Sequence, residues 1–238
     1  MIRDSKAFII GLVMLISFMG IYAYMMTPSF GNGRNGLEYA DDMFNSISKG
    51  SAQEVVLDEV KKAEKWNGTS IDLTLKGKDE DQAKRWAEAF QQVDGAEVQV
   101  NKEQVALKAD FGKLLANISE DCVAMYENKG DVVQAKYNTD PRDATNRWYN
   151  ITKSIGKELE KKEQFKESIY LSTYQKKVIE PAYNYYGVET KFVSDNKGSM
   201  TFLLLFYMVY TLWYGFAIYF LCIGFGITMT KATKKSEA

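Results

Sequence analysis

Two long apolar runs, residues 7–26 and 200–229, constrain this sequence more than any other feature. Neither run contains a charged side chain, and each is long enough to cross a hydrocarbon core, which takes about 20 apolar residues. They flank a polar stretch that occupies residues 27–198. The sequence therefore predicts a membrane protein with transmembrane helices at 7–26 and 200–229 on either side of one large polar domain.

The charges at the two ends of the chain predict its orientation. Residues 1–6 carry Arg3 and Lys6, and residues 230–238 carry three lysines against Glu237. Such basic flanks are typical of the cytoplasmic side of a membrane. The first run follows its basic segment without an A-x-A cleavage pattern, so we expect an uncleaved signal anchor. We expect both ends in the cytoplasm and residues 27–198 outside it. Size and tail charge favour a bacterial inner (cytoplasmic) membrane, with the domain periplasmic or extracellular.

The histidine and cysteine content excludes several kinds of chemistry. The chain contains no histidine, which excludes His-ligated haem, His-containing zinc sites and Ser-His-Asp or Cys-His nucleophiles. Its two cysteines, Cys122 and Cys222, belong to the polar domain and to the second span, so they cannot form a disulfide with each other. Cys122 lies on an apolar helical stripe, which favours packing in the core.

The remaining polar residues predict no metal, cofactor or nucleic-acid site. The polar domain has 25 basic and 29 acidic residues without a basic stripe, so nucleic acid is not an expected partner. The acidic group at residues 79–81 occurs where a helix begins, and negative charge stabilises that position. No calcium-loop spacing is present. We expect a protein without a catalytic site, a metal or a cofactor.

The segment before the domain core combines a linker with helical patterns. Residues 27–36 are rich in glycine and polar residues and predict an irregular connection. Apolar residues then recur at helical spacing from Leu37 to Ile47, and Ser51 with Glu54 resembles a capping box that opens a further helix to Ala63. We predict two short helices here.

In the core, residues 70–137, the spacing of apolar residues alternates between that of strands and that of helices. Alternating apolar residues predict strands at Ile71–Leu75, Val98–Val100, Val105–Ala109 and, more weakly, at Val133, Ala135 and Tyr137. Helical stripes follow Asp79 and Asp110. The resulting order, strand-helix-strand-strand-helix-strand, is that of a ferredoxin-like (βαββαβ) sandwich. The competing interpretation replaces the fourth strand by coil and leaves a three-stranded α+β domain.

A further helical stretch occupies residues 140–180. Asp140 and Pro141 supply an N-cap and a first-turn proline, and Pro181 is expected to end the helix. The pattern fits either one continuous helix or a helical hairpin that breaks near Gly156. The predicted fold class is thus an α+β membrane protein, with additional helices before and after a ferredoxin-like core.

The second span is unusual because it is rich in aromatic side chains. At about 100° per residue, four of its polar side chains fall on one face: Tyr207, Tyr210, Thr211 and Tyr214. Hydroxyl groups near the middle of a bilayer need hydrogen-bond partners, so this face is expected to contact protein rather than lipid. It is the one candidate site that the sequence offers, as a docking face for another integral membrane subunit.

These observations favour a non-catalytic accessory or assembly subunit of a larger envelope membrane complex. We expect no cytoplasmic signalling module at the short ends, and the sequence shows no redox or hydrolytic set of residues. The alternative is a homo-oligomeric ligand-binding or scaffolding protein outside the cytoplasm.

Overall fold

The computed structural model describes residues 2–227, which divide into two compact units. The terminal unit comprises residues 2–44 and 192–227, and the middle domain comprises residues 45–191. The predicted cytoplasmic tail, residues 230–238, and the last two residues of the predicted second span lie outside the described residues.

Helices predominate, and one small sheet lies in the middle domain. Short 3₁₀ turns occur at Glu64–Trp66 and Val193–Asp195, and a π-helical turn at Gln175–Ile179. The strands are β1 (Ser70–Lys76), β2 (Glu97–Asn101) and β3 (Gln104–Asp110). The helices are α1 (Ser5–Met25), α2 (Gly36–Ala63), α3 (Glu80–Phe90), α4 (Phe111–Tyr126), α5 (Gly130–Tyr137), α6 (Pro141–Lys161), α7 (Phe165–Tyr174), α8 (Glu180–Asn184) and α9 (Lys197–Phe225).

In the terminal unit, α1 and α9 are long and apolar enough to span a membrane, and few of their residues are buried. They pack against each other in antiparallel orientation, since Phe8 contacts Phe225 while Phe18 contacts Tyr210. The Asp4 carboxylate caps α1, and Gly226 ends α9 in the left-handed conformation. The predicted pair of apolar helices is therefore present as a hairpin-like packing unit.

One helix, α2, replaces the two short helices predicted after the linker. It runs without a break through Lys49 and Gly50, so the Ser51–Glu54 pattern lies inside a helix and does not open one. The linker prediction holds up to Asn35, whose side chain accepts hydrogen bonds from the first amides of α2. The capping box predicted at Ser51 and Glu54 is therefore wrong, and the cap of α2 is Asn35.

The sheet has the strand order β1-β3-β2, with both neighbours antiparallel to β3. Ile71 pairs with Ala109 and Leu73 with Leu107, and these side chains all point into the core. This arrangement matches the first three strands of the predicted order. β3 is thus the central strand: it forms a hairpin with β2 and pairs with β1 across the intervening α3 and β2.

The predicted fourth strand is wrong, and the ferredoxin-like sandwich is not confirmed. Val133, Ala135 and Tyr137 belong to the helix α5. The free edge beside β1 contacts α6 instead, and the Lys162 ammonium donates a hydrogen bond to the backbone carbonyl of Asp72 on that edge. The domain is a mixed fold of helices around a three-stranded sheet.

Residues 141–184 form a helical hairpin. Asp140 caps α6, and Pro141 occupies its first turn, as predicted. The break lies at residues 162–164, where Glu163 has a φ of 60°, and Gly156 stays within α6. Pro181 does not end the second arm, because α7 continues through the π-helical turn into α8 and ends at Asn184.

The core of the middle domain lies between one face of the sheet and the surrounding helices. Trp148 of α6, Phe90 of α3 and Leu114 of α4 are buried in it. Cys122 is also buried there, as its position on an apolar stripe predicts, and burial raises the pKa of its thiol. It is therefore a core residue without exposed thiolate chemistry.

Candidate functional site

One face of α9 packs against α1, and we call the row of residues on this face the seam. Between residues 203 and 220 of α9, the positions that are not exposed recur at alternating intervals of three and four residues. This spacing is that of an antiparallel helix pair packed along a heptad-like stripe. The seam residues in this range are Leu203, Phe206, Tyr210, Trp213, Ala217 and Phe220.

Small residues and backbone hydrogen bonds bring the two helices close together. A Cβ atom added at Gly11 would lie 2.6 Å from the backbone nitrogen of Leu221, and one added at Gly224 would lie 2.7 Å from the Cα of Phe8. The backbone N–H of Arg3 donates to the carbonyl of Gly224 at 2.8 Å. The amino end of α1 and the carboxyl end of α9 therefore lie at the same end of the pair.

The seam divides the polar face that the sequence predicts. Tyr210 lies within the seam, where its ring stacks on that of Phe18 at a centroid distance of 4.2 Å. Tyr207, Thr211 and Tyr214 lie beside the seam. Tyr210 thus serves the contact between the two apolar helices, and only the other three remain available to a partner.

The three remaining side chains form a patch in the middle of α9, which we call the hydroxyl patch (Tyr207, Thr211 and Tyr214). Tyr207 is 70% exposed and Tyr214 is 46% exposed, although the ring of Tyr214 also touches Phe18 at 5.1 Å. The Thr211 hydroxyl donates to the carbonyl of Tyr207 at 2.8 Å. Among the described residues, none forms a hydrogen bond with the Tyr207 hydroxyl.

A buried lysine joins the first and last segments of the middle domain. Lys49 is fully buried, and its ammonium donates to the carbonyls of Val188 at 2.8 Å and Tyr185 at 3.1 Å and to the Asn128 side chain at 3.1 Å. Desolvation lowers the pKa of Lys49. The Tyr126 hydroxyl donates to the Lys49 backbone carbonyl. These contacts form a structural anchor, since every polar atom involved points at the protein itself.

A buried carboxylate organises the region between α4, α5 and α6. Asp121 accepts hydrogen bonds from the Lys136 ammonium at 2.7 Å, the Tyr137 hydroxyl at 2.5 Å and the Trp148 indole at 2.8 Å. Burial, together with the charge of Asp121, raises the pKa of Tyr137. Because three donors satisfy Asp121, this network stabilises the core and presents no free base to solvent.

Two arginines flank a polar cleft between α3 and α6, which we call the arginine cleft. A guanidinium nitrogen of Arg147 donates to the backbone carbonyl of Arg85 at 3.4 Å, and its guanidinium lies 5.8 Å from the centroid of the Tyr137 ring. The cleft has a volume of about 390 Å³. Its lining consists of Gln82, Arg85, Trp86, Thr139, Asp143, Asn146, Arg147 and Asn150.

The sequence reasoning missed the arginine cleft and the anchor around Lys49. Arg85 and Arg147 are 62 residues apart, and no spacing rule connects them. The signal for Lys49 was its position among apolar residues on the buried side of α2, between Ile47 and Val56. A lysine on an apolar stripe is rarely fully buried without a partner, and this pattern could have indicated a buried polar contact.

Comparison with models of known protein families, with curated proteins and with solved structures gives no match to this chain. Within residues 2–227 there is no group of three or more side chains placed to hold a metal ion. The function must therefore be argued from the geometry of the hydroxyl patch and the arginine cleft.

Proposed function

We propose that this protein is a membrane-anchored, non-catalytic subunit that docks onto another integral membrane protein through α9. The observation that carries the proposal is the hydroxyl patch. After α1 has covered the seam of α9, Tyr207 remains 70% exposed near Thr211, the central residue of the helix. If α9 spans a membrane, this tyrosine lies near the middle of the hydrocarbon core.

The energetic cost of that position favours a protein neighbour. A hydroxyl group transferred from water to a hydrocarbon environment without a hydrogen bond loses several kcal/mol, roughly 2–7 on different scales. Interfacial tyrosines avoid the cost by reaching the headgroups, but Tyr214 lies at the middle of the predicted span 200–229, and Tyr207 lies about two helical turns from it. A transmembrane helix of a partner that lies against the hydroxyl patch would supply the missing acceptors.

The same helix pair supports the proposed membrane orientation. The amino end of α1 and the carboxyl end of α9 lie together, as expected for a chain that crosses twice and returns to its starting side. Arg3 and Lys6 precede or begin α1, and basic residues favour the cytoplasmic side. We therefore propose cytoplasmic ends and an extracytoplasmic residue range of 27–198, in a bacterial inner membrane.

The contact between α1 and α9 also supports retention of the first span. A cleaved signal peptide would not need a matched seam with a later helix, whereas α1 places Gly11 directly against α9. Immunoblotting of the mature protein with a tag at the amino terminus tests this point. Loss of that tag during export would contradict the signal-anchor interpretation.

The test of docking compares variants in the hydroxyl patch with a control variant on another face of α9. The protein is purified gently from its own membrane at natural expression, and the co-purifying polypeptides are identified. The double variant Tyr207→Leu/Tyr214→Leu is expected to lose its membrane partner. The matched control Tyr219→Leu changes the same chemistry on another face, where the side chain is 44% exposed, and should keep the partner.

Two outcomes would contradict this proposal. Retention of every partner by the double variant would show that the hydroxyl patch does not dock. A native mass explained by copies of this chain alone would instead favour the alternative function, a homo-oligomeric scaffolding or ligand-binding protein. Intermolecular crosslinking through a cysteine at Lys153, which is exposed on α6, would then map the contact between copies.

A further inference from the structure

The arginine cleft brings together two guanidinium groups, and within the described residues they form only one hydrogen bond with the protein, from Arg147 to the Arg85 carbonyl. Neither Arg85 nor Arg147 has a carboxylate within 4.0 Å among the described residues, although Glu88 and Asp143 act on Arg147 from farther away. Burial lowers the pKa of Arg147, and the positive charge of Arg85 acts in the same direction. Two cations are thus held near each other without the close counter-ion that usually accompanies such a pair.

Two of the three amide side chains of the cleft, those of Gln82 and Asn146, expose donors in preference to acceptors, whereas the third, Asn150, donates to Asn146. The side-chain oxygen of Gln82 accepts from the backbone N–H of Lys78 at 2.8 Å. The side-chain oxygen of Asn146 accepts from the Asn150 amide at 3.3 Å. Within the described chain, the nitrogen atoms of the Gln82 and Asn146 side chains donate to no protein group. Their acceptors are therefore engaged, while their donors remain free to bind a ligand.

Arg147 is held in place by its surroundings rather than extended into solvent. Its guanidinium donates to the Arg85 carbonyl and packs over the ring of Tyr137. Tyr137 is fixed in turn, because its hydroxyl donates to the buried Asp121 at 2.5 Å. A guanidinium that is already positioned loses less conformational entropy when it binds a ligand.

We propose that the arginine cleft binds a small ligand through an oxyanion group, a phosphate or a carboxylate. Arginine forks match both groups with paired hydrogen bonds. The volume of about 390 Å³ falls within the range of small-molecule sites, about 300–1,000 Å³, and exceeds what a bare ion would fill. Trp86 supplies an apolar wall for the rest of the ligand. The proposal does not depend on docking by α9.

Asp143 sets the expected charge dependence of binding. It is the acidic member of the lining and lies in the first turn of α6. Its carboxylate should repel an oxyanion and reduce the affinity, whereas Arg85 should increase it. Variants at these two residues are therefore expected to change the affinity in opposite directions, which loss of folding would not do.

The experiment measures the thermal unfolding of the full-length protein in a non-ionic detergent during titration with inorganic phosphate or acetate. Sodium chloride keeps the ionic strength constant throughout. A ligand that binds the folded state raises the Tm by mass action. We expect at least one of the two probes to raise the Tm in the millimolar range. The probe that acts at the lower concentration identifies the oxyanion as phosphate or carboxylate.

The variants then assign the effect to the cleft. Arg85→Gln removes an exposed guanidinium and should increase the half-saturating concentration about tenfold, which corresponds to about 1.4 kcal/mol. Asp143→Asn should decrease that concentration several-fold. Lys84→Gln, a charge change on the neighbouring residue of α3 that pairs with Glu80, is the matched control and should leave binding unchanged.

Each of the following results would overturn the proposal. If phosphate, acetate and chloride give the same Tm at matched ionic strength, the anions only screen charges and do not bind the cleft. Arg85→Gln and Lys84→Gln could weaken binding equally, which would show a general charge effect. Weaker oxyanion binding by Asp143→Asn would mean that the cleft does not select for negative charge.

Discussion

The ammonium group of Lys49 lies 2.8 Å from the carbonyl oxygen of Val188, a residue 139 positions later in the chain. Close by, the backbone N–H of Lys191 donates to the carbonyl of Ser46 at 3.1 Å. Ser46 is the second residue of the middle domain, and Lys191 is its last. Both chain connections therefore leave this domain from one place, and the contacts of Lys49 fasten them together.

Replacement of Lys49 by methionine should destabilise the middle domain. Methionine fills a similar volume but removes the ammonium hydrogen bonds to the carbonyls of Tyr185 and Val188. Each carbonyl keeps a second donor, the backbone N–H of Val188 and the side-chain amide of Asn128, so the loss is that of hydrogen bonds from a charged group, about 1.5–3 kcal/mol each. Relief of the buried charge offsets part of this loss, so we expect the free energy of unfolding to fall by about 2 kcal/mol. Urea unfolding in detergent, followed by near-UV circular dichroism, measures the change. Lys153→Met, at an exposed position, is the control, and an equal effect of both variants would contradict the anchor.

Because of the Tyr126 hydroxyl, we expect the free energy of unfolding to vary with pH in the alkaline range. Burial raises its pKa to about 12, while the unfolded chain releases this proton near pH 10. Between these values the folded state binds more protons than the unfolded state, so stability falls as the pH rises. Two pKa units correspond to at most about 3 kcal/mol. The advantage of wild type over Tyr126→Phe in unfolding free energy should therefore decrease from pH 10 to pH 12 and change sign once the loss exceeds the contribution of the hydrogen bond, about 1 kcal/mol.

The comparison with Tyr126→Phe isolates this group from others that titrate in the same range. Lys49, whose pKa burial lowers, is present in both proteins, and its contribution largely cancels in the difference. At pH 8 the variant should lose only the hydrogen bond to the Lys49 carbonyl, about 1 kcal/mol. A difference that stays constant up to pH 12 would show that the Tyr126 hydroxyl titrates as it does in water.

The elements that the sequence predicted correctly are those whose signal lies in one short window. Alternation at Ile71, Leu73 and Leu75 marks a strand with one buried face, and the structure pairs it with β3. Asp79 and Asp140 cap the helices that follow them, because a side-chain oxygen satisfies amides that the first turn leaves free. Such local physics needs no knowledge of the rest of the fold.

The prediction of a fourth strand was wrong because of the spacing of its apolar residues. Val133 and Tyr137 are four positions apart, and residues at i and i+4 share a face in both a strand and a helix. Only Ala135 could distinguish the two, and it is exposed in α5. The break after α6 was equally hidden, because Glu163 adopts a positive φ that the sequence would assign to glycine or asparagine.

The two candidate sites differ in what the sequence could reveal about them. The seam of α9 could not be found from the sequence, because apolar residues cover every face of this helix and the spacing of three and four residues is seen only in the exposure of its side chains. Grouping the polar residues by angle alone therefore placed Tyr210 on the predicted docking face. The arginine cleft was out of reach, since it exists only where α3 meets α6. Tertiary packing, not local propensity, creates that site.

Replacement of Asp121 by asparagine tests the buried network. The carboxylate accepts from Lys136, Tyr137 and Trp148, and removal of its charge leaves the Lys136 ammonium without its counter-ion at 2.7 Å. Breaking a buried ion pair costs about 3–5 kcal/mol, and the partial exposure of Lys136 reduces this to about 2–3 kcal/mol. Glu120→Gln, the exposed neighbour on α4, should cost less than about 0.5 kcal/mol. Equal urea midpoints for the two variants would contradict a stabilising role of Asp121.

The close contact at Gly224 predicts that a larger residue will separate α1 from α9. A Cβ atom there would lie 2.6 Å from the Cβ of Phe8 and 2.7 Å from its Cα, and backbone atoms cannot move aside as a flexible side chain would. Gly224→Val should therefore separate the carboxyl end of α9 from the amino end of α1. Gly215→Ala is the matched control, because nothing lies within 4 Å of an added Cβ at that position.

Chemical crosslinking in the native membrane measures this separation. Cysteines replace Met14 and Trp213, which the indole hydrogen bond of 3.2 Å brings together, in a background that carries Cys222→Ala. A short bis-maleimide should link the two helices within one chain in the parent and in Gly215→Ala. The yield should fall several-fold in Gly224→Val, because Trp213 lies only about 16 Å along α9 from Gly224 and close-packed helices transmit a separation over that distance. An unchanged yield would mean that the pair is held by the stacking of Phe18 on Tyr210 and not by the close approach at the glycines.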